Sequence, residues 1–301
     1  MTAKVIDGNA VASHVRGQWK QRVDALKAQG ITPGLAMIIV GDNPASRMYV
    51  RNKVRACTEV GLHSETHALS ATVTQAEIVQ RIRALNSDPA IHGVLVQLPL
   101  PPHLDSKNLL SEIDLDKDVD GFHLYNVGGL VVGDNNIFPP CTPYGVQCLL
   151  EYENIPIEGQ NVVVVGASNI VGKPMALMLM AKEATVSICH IKTRDLAQFT
   201  ILADILVVAA GCPGLITAPM VKRGAVVIDV GINRLADGSL AGDVDFESVK
   251  EKASYITPVP GGVGPMTVTM LICNTVSAAE RRVRNNAKSP RSAVSSIPMP
   301  A

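Results

Sequence analysis

Apolar and polar positions along the chain follow two different periods. Residues 9–28 space their apolar side chains as an amphipathic helix does, whereas GLAMIIVG at 34–41 is an unbroken apolar run of strand length. Pro44 and Ser46 then open a helix predicted to reach about Val60. HSETHALS predicts a strand, Thr74 caps a helix ending near Asn86, and IHGVLVQLPLP at 91–101 is a β-rich run stopped by prolines. Residues 114–142 lose helical period and are rich in Asp, Gly, Asn and Pro, so a long irregular connection is expected, followed by a helix near 143–153. Alternation then resumes. QNVVVVG (160–166), ATVSIC (184–189), DILVVAAG (204–211) and GAVVIDVG (224–231) read as buried strands, separated by helices at about 172–182, 194–200 and 217–222. YITPVP adds a short strand before a helix from Pro265 to about Arg284, and the polar tail from Asn285 is expected to be disordered. Strand and helix alternating in this way predict an α/β protein with parallel sheets and helical crossovers.

Composition sharpens this picture. Aromatics make up 3% of a chain that is 47% hydrophobic, so aliphatic side chains must fill the cores, as suits parallel sheets covered on both faces. With 27 basic and 27 acidic residues no global field favours nucleic acid or a membrane surface. Cysteines 57, 141, 148, 189, 212 and 273 form no C-x-x-C pair, which fits reduced structural thiols better than disulfides or a zinc site. The N-terminal stretch lacks the apolar core of a signal peptide, and no run of about 18 apolar residues suggests a span. A cytoplasmic protein is the expectation.

Four stretches carry candidate chemistry. In SRMYVRNK, Tyr49 and Lys53 lie four apart and share one helix face, either as a working pair or as ordinary helix surface. Gln97 ends an apolar strand in VLVQLPLP, at the carboxyl end where ligands gather in open parallel sheets, or where an amide bonds a loop backbone. Asp120 in KDVDGFH is either a turn residue or a ligand contact, and PVPGGVGPMT at 258–267 is either a connector or a place for close backbone approach. NVVVVGASNIVGKPMALMLM has the strand–glycine turn–helix order of a phosphate-binding turn. Only Gly166 and Gly172 are glycine there, so it is neither G-x-G-x-x-G nor a Walker A loop. Four regularly spaced apolar strands around it favour a doubly wound, Rossmann-type dinucleotide fold. After the next strand, CHIKTRD brings His190, Ile191, Lys192 and Arg194 before any carboxylate, which leans toward NADP, with NAD as the alternative.

The segments YVRNK, GVLVQLPLP, DKDVDGFH, PCTPYG, VVVVGASNIVGKP, VVIDVGIN, GDVDF and TPVPGGVGPMT, in this order, resemble the bifunctional methylenetetrahydrofolate dehydrogenase/cyclohydrolase family over roughly residues 3–284. Short-chain dehydrogenases also use a Tyr-x-x-x-Lys pair, but their glycine turn precedes it, and here the turn follows Tyr49 by more than a hundred residues. The resemblance implies two lobes facing a cleft. Residues 1–140 would form an α/β folate-binding lobe, joined by a returning helix at 265–285; residues 141–264 would form a Rossmann-type doubly wound lobe; and 286–301 would be a disordered tail. It implies NAD(P)-dependent oxidation of 5,10-methylenetetrahydrofolate, then hydrolysis of 5,10-methenyltetrahydrofolate to 10-formyltetrahydrofolate, in a homodimer joined through the Rossmann-type lobe. The alternatives are a two-lobed dehydrogenase acting on a small acid, or a non-catalytic nucleotide-binding protein.

Carried over by residue, the resemblance makes Lys53 the essential lysine, with Tyr49 beside the folate ring, Gln97 contacting the lysine and Asp120 anchoring the pterin. Ser46, Leu98, Pro99, Pro258, Gly261 and Gly262 would complete the folate site. Thr142, Gly166, Ala167, Ser168, Ile170, His190, Ile191, Lys192, Ala210, Gly211, Gly231, Ile232 and Thr269 would form the cofactor site. Many family members carry Arg in place of Ala167 or of Ile191 to hold the 2′-phosphate. This chain has neither, so Lys192, Arg194 or Lys173 would take that role, or NAD would be accepted.

Overall fold

A computed structural model describes residues 2–288, and within it the chain folds as two α/β units facing each other. In chain order the elements are β1 (Lys4–Val5), α1 (Gly8–Lys27), β2 (Gly34–Val40), α2 (Pro44–Val60), β3 (His63–Leu69), α3 (Gln75–Ser87), β4 (Gly93–Val96), α4 (Ser106–Ser111), α5 (Leu124–Val132) and α6 (Cys141–Tyr152). There follow β5 (Asn161–Val165), α7 (Gly172–Met180), β6 (Thr185–Cys189), α8 (Ala197–Thr200), β7 (Ile205–Val208), β8 (Val226–Asp229), β9 (Asn233–Arg234), β10 (Leu240–Ala241), α9 (Phe246–Lys250), β11 (Tyr255–Ile256) and α10 (Val263–Lys288).

The first unit is built on a three-stranded parallel sheet in the order β3-β2-β4. Every residue of β2 is buried, as its unbroken apolar run requires of a central strand covered on both faces. The second is a six-stranded parallel sheet, β1-β11-β8-β7-β5-β6, with β5 between β6 and β7. In both sheets the chain leaves a central strand, pairs on one side and returns on the other. That creates a crevice at the strands' carboxyl ends, beyond β2 and β4 in one sheet and beyond β5 and β7 in the other.

Local chemistry sets the helix that matters most. Asn43 caps α2, its Oδ1 accepting from the N–H groups of Ala45 and Ser46 at 2.9 and 3.2 Å; Pro44 occupies the first turn and Gly61 closes the helix in the left-handed region. Thr74 and Glu77 form a capping box at the start of α3. Helix α10 packs against α1, α2 and α6, burying Met266, Met270, Leu271 and Cys273, among others, and so joins the two units.

The structure departs from the expected elements in several places. The first two-residue strand pairs with Tyr255–Ile256 at the edge of the six-stranded sheet, so the N-terminal residues complete the second unit's sheet, not the first's. Segment 114–142 is not irregular throughout: it holds a 3₁₀ turn, Leu115–Lys117, and the nine-residue helix α5. Two glycines weaken the helical signal of LYNVGGLVV, but Gly129 is needed for close packing, since a Cβ there would fall 2.2 Å from Ile137. The helix expected at 217–222 is a three-residue 3₁₀ turn, Ala218–Met220, with Pro219 in its middle and Val221 extended. The short α4, α9 and the β9–β10 hairpin carried too little period to be anticipated. Helix α10 continues to Lys288, and the expectation of disorder at 289–301 lies outside the described residues. Among the described residues no helix is long and apolar enough to cross a membrane.

Asp118 pins the 114–142 connection. Its carboxylate is 1% exposed and accepts from the N–H groups of Phe122 and His123 and from Nδ2 of Asn126, at 3.3, 2.7 and 2.7 Å. Asn274 on α10 donates to the carbonyls of Val119 and Pro139 at 2.8 and 3.0 Å, fastening the same loop from the other side. Asp118→Ala would leave three donors without an acceptor, and urea unfolding should show a loss of about 3 kcal/mol.

Candidate active site

The helix cap and proline at the start of α2 set its rotation. Ser46, Tyr49 and Lys53 then fall on one side of the helix, with Ser46 and Lys53 two turns apart. Lys53 is 9% exposed, and its Nζ donates to Oε1 of Gln97 at 3.0 Å. Gln97 directly follows β4 and is held twice more: its N–H bonds the Ile38 carbonyl at 2.9 Å, and its Nε2 the Leu98 carbonyl at 2.6 Å. The sequence left open whether this amide faces a ligand site or bonds a loop backbone. Its Nε2 does bond the loop backbone, and that aims its oxygen at Lys53.

Burial pushes the Lys53 amine below the ordinary lysine range, while the carboxylate of Asp120 opposes that shift. Burial likewise pushes Asp120 up, against the pull of Lys53. Each group is thus biased toward its neutral form by desolvation and toward its charged form by the other. Cys141, at the start of α6, donates its thiol to the Val119 carbonyl at 3.3 Å and borders the same cluster. Tyr49 is half-buried, with its phenol held above the usual range by desolvation. The Ser46 hydroxyl is 3% exposed and has no hydrogen-bond partner among the described residues.

Between the two units lies a cleft of about 570 Å³. Tyr49, Asn52, Arg55 and Glu59 of α2 form one wall; Asp229 to Ile232 and Pro258 to Pro265 form the other. Of the anticipated residues, Tyr49, Gly231, Ile232, Pro258, Gly261 and Gly262 line this cleft. Lys53, Gln97 and Asp120 do not; they form a cluster that adjoins Tyr49, with Lys53 buried and Gln97 and Asp120 partly so.

Beyond β5 the chain makes the glycine turn. Gly166 has φ +125°, and a Cβ on it would fall 2.2 Å from the Ala209 carbonyl oxygen; one on Gly172 would fall 1.9 Å from that of Gly166. The Ser168 hydroxyl accepts from the N–H groups of Val171 and Gly172 at 3.1 and 3.3 Å, capping α7. Four successive N–H groups, those of Ala167, Ser168, Asn169 and Ile170, have no partner among the described residues. A bare row of donors at a helix start is a fitting cradle for a pyrophosphate. His190, Ile191 and Lys192 follow β6 in an exposed turn, where Ile191 is 95% exposed. Lys173, one of three bases expected to replace the missing arginines, instead donates to Asn169 Oδ1 at 2.7 Å.

Four anticipated cofactor residues are occupied otherwise. The N–H groups of Ala210 and Gly211, together with that of Cys212, donate to the Asp243 carboxylate at 2.6, 2.9 and 2.9 Å. Thr269 is fully buried, its hydroxyl accepting from Arg16 at 2.9 Å and donating to the Pro265 carbonyl at 3.0 Å. Thr142, which is partly exposed, shares a 3.0 Å hydrogen bond with Thr267.

Sequence reasoning singled out neither Asp229 nor Asp243, and both organise the second unit's side of the cleft. Asp229 is 4% exposed and accepts from the N–H groups of Gly231, Asp243 and Val244 at 2.9, 3.0 and 2.9 Å; burial nevertheless raises its pKa to about 6. Asp243 is fully buried and accepts from Asn233 Nδ2 at 2.8 Å besides the three loop amides. The signal was there: a carboxylate inside VVIDVG and another in GDVDF, in apolar surroundings that tolerate a carboxylate only when it is hydrogen-bonded.

Two family profiles match this chain. One, described as the tetrahydrofolate dehydrogenase/cyclohydrolase catalytic domain, covers residues 6–120, and the other, its NAD(P)-binding domain, covers 140–283. The chain belongs to the tetrahydrofolate dehydrogenase/cyclohydrolase family. It is 64% identical to the bifunctional protein FolD of Nitrosospira multiformis over 281 residues, 93% of this chain and 97% of that one. Among solved structures, the bifunctional FolD of Campylobacter jejuni matches with a TM-score of 0.91 at 52% identity, over 93% of this chain and 99% of that one. The Trypanosoma brucei FolD, solved with NADP and an inhibitor, matches with a TM-score of 0.92 at 41% identity, over 94% and 99%. As a member of this family the protein is a bifunctional dehydrogenase and cyclohydrolase acting on tetrahydrofolate derivatives.

The Asp243 network predicts a split between the two activities. Asp243→Ala strips an acceptor from three loop amides and Asn233, and should raise the KM for the nicotinamide cofactor at least about tenfold, a loss near 1.4 kcal/mol. Cyclohydrolase turnover of methenyltetrahydrofolate, assayed without cofactor, should stay within about twofold of wild type.

Proposed function

We propose that Lys53 is the proton-transfer group of the cyclohydrolase step and that Gln97 orients it. The partly buried hydrogen bond between them, one helical turn from Tyr49 on the cleft wall, is the observation that carries this reading. In that step water adds to the amidinium carbon of methenyltetrahydrofolate, and one proton leaves the water. The hydroxyl left on that carbon then gives up its own proton and becomes the formyl oxygen while the ring nitrogen takes a proton and parts from the carbon, giving 10-formyltetrahydrofolate with one proton released overall. An amine serves both transfers best when its pKa approaches the working pH, and burial moves Lys53 that way. A cationic folate close by would push it further. Tyr49 stacks on the folate ring, and Asp120 accepts from the amino edge of the pterin. The unpartnered Ser46 hydroxyl is a further polar group for the substrate. Leu98, Pro99 and the Pro258–Gly262 loop complete the folate site.

When bound, the nicotinamide dinucleotide accepts the hydride from the methylene carbon of the substrate. The folate nitrogens stabilise the cation that remains, so the protein's part in that step is position. The open row of amides from Ala167 to Ile170 would hold the pyrophosphate. We assign NADP, and the exposed bases Lys192 and Arg194, which follow β6 with no carboxylate between, would meet the 2′-phosphate. We further propose a cytoplasmic homodimer. The cysteines of the chain are all free, as suits a reducing compartment. The edge strand β6 and its neighbour α8 expose Ile188, Phe199, Ile201 and Leu202, an apolar margin suited to a second copy.

Two measurements test these assignments. Lys53→Met and Lys53→Arg should each lower cyclohydrolase kcat at least about a hundredfold, read as the decay of methenyltetrahydrofolate absorbance, since arginine keeps the charge but cannot release a proton. Full activity in either variant would refute the role given to Lys53. For the cofactor, kcat/KM with NADP should exceed that with NAD, and Lys192→Ala with Arg194→Ala should reduce the NADP value about tenfold while sparing NAD.

A further inference from the structure

Lys117 stands in the same stretch as Asp118 and Asp120, yet the chemistry of the cleft makes no use of it. It is buried, and its Nζ donates to the carbonyls of Leu85 and Asp88 at 2.8 and 2.7 Å, at the end of α3. On α10, Arg282 donates to the Pro89 carbonyl at 3.1 Å. Among the described residues neither cation enters a salt bridge. Burial pushes the Lys117 amine down, the charge of Arg282 pushes it further, and Asp114 and Asp88 oppose that. The Asp88 carboxylate is itself engaged by the Ala90 N–H at 2.7 Å. Both cations also act on His92, which is 7% exposed just before β4 and accepts from the Gly34 N–H at 3.1 Å through Nδ1. Burial and these charges lower its pKa to about 4, with only the Ala90 carbonyl against them. Arg282, His92 and Thr32 line one cavity of about 360 Å³. It lies at the amino ends of β2 and β4, the opposite end of that sheet from the cleft. No carboxylate lines it, and among the described residues neither the N–H nor the hydroxyl of Thr32 has a hydrogen-bond partner.

We infer that this cavity is a second ligand site and that it takes a phosphate group, free or carried by a small ester, held by Arg282 and Thr32. Two cations that act on each other, with no carboxylate in the cavity wall, set up a positive potential. An anion relieves it, and an apolar or cationic ligand does not. A carboxylate brings one negative charge, whereas a phosphate monoester brings about two at pH 7, which matches Arg282 and Lys117 together. The guanidinium fork suits phosphate oxygens, and its bond to Pro89 leaves most of its donors free. Thr32 adds an amide and a hydroxyl. The cavity would hold on the order of ten waters, more room than a bare phosphate fills. His92 is neutral without the ligand and gains affinity for a proton when an anion arrives. Arg282 is exposed, so the attraction is screened by salt and the affinity is of about millimolar order.

The test follows the His92 ring by NMR in the full chain labelled with ¹³C-histidine, its resonance being the one missing from H92Q. Inorganic phosphate and glycerol 3-phosphate are titrated in separate arms at pH 6, with chloride holding the ionic strength constant. At least one should shift the resonance saturably, with a Kd below about 10 mM, and toward its imidazolium position, since an anion favours the charged ring. The tighter arm tells a free ion from an ester. Phosphate on the amides of the glycine turn, in the other unit, does not touch this ring. R282Q should weaken binding at least about tenfold without changing thermal unfolding, while R284Q, an exposed arginine on the same helix, should bind as wild type does. No saturable shift in either arm, a shift away from the imidazolium position, binding that survives R282Q, or an equal loss in R284Q would overturn the inference.

Discussion

Holding a lysine amine almost out of water is the constraint on which the rest of this site depends. An ammonium at 9% exposure loses hydration that surrounding groups must replace. Gln97 supplies an oxygen at 3.0 Å and Asp120 a longer-range field. Neither is free to move. Gln97 is tied to Ile38 and Leu98, and the loop that carries Asp120 is fixed by Asp118 from within and by Asn274 from α10. The amine is therefore left with a depressed pKa and few alternative partners, which is the condition a proton-transfer group needs.

The opposite wall of the cleft applies the same physics with the sign reversed. Asp229 and Asp243 are carboxylates buried at the end of β8 and in the segment after β10, and backbone N–H groups replace their water. A chain of hydrogen bonds results: Asp229 holds the Asp243 backbone, and the Asp243 side chain holds the loop after β7. That loop's amides are thereby withdrawn from any ligand, while those of the glycine turn after β5 stay open. The division leaves one of two neighbouring turns with open amides, and it comes from one buried carboxylate.

The two walls work together only because α10 spans both units and because the first strand of the chain closes the edge of the second sheet. Long sequence separations thus meet at the cleft. A residue of α1, Arg16, reaches Thr269 of α10 and Glu59 of α2, so this rim of the cleft is set by three helices.

Much of this was legible in the sequence because period and capping are local. The buried strands, the helix opened by Pro44, the helix capped by Thr74, the glycine turn and the Tyr49–Lys53 face all follow from residues within a few positions of one another. Family resemblance then supplied Gln97 as the lysine's partner and Asp120 as the pterin's anchor. Helix α5 was hidden because its two glycines read as loop, and only the packing of Gly129 against Ile137 makes the helix worth forming. Tertiary structure alone decided that Lys53 is buried beside the cleft, that the amides of Ala210 and Gly211 are spent on Asp243, and that the N-terminal strand belongs to the distant sheet. In each case the deciding partner lies tens to hundreds of residues away, and desolvation by a distant element leaves no trace in local spacing.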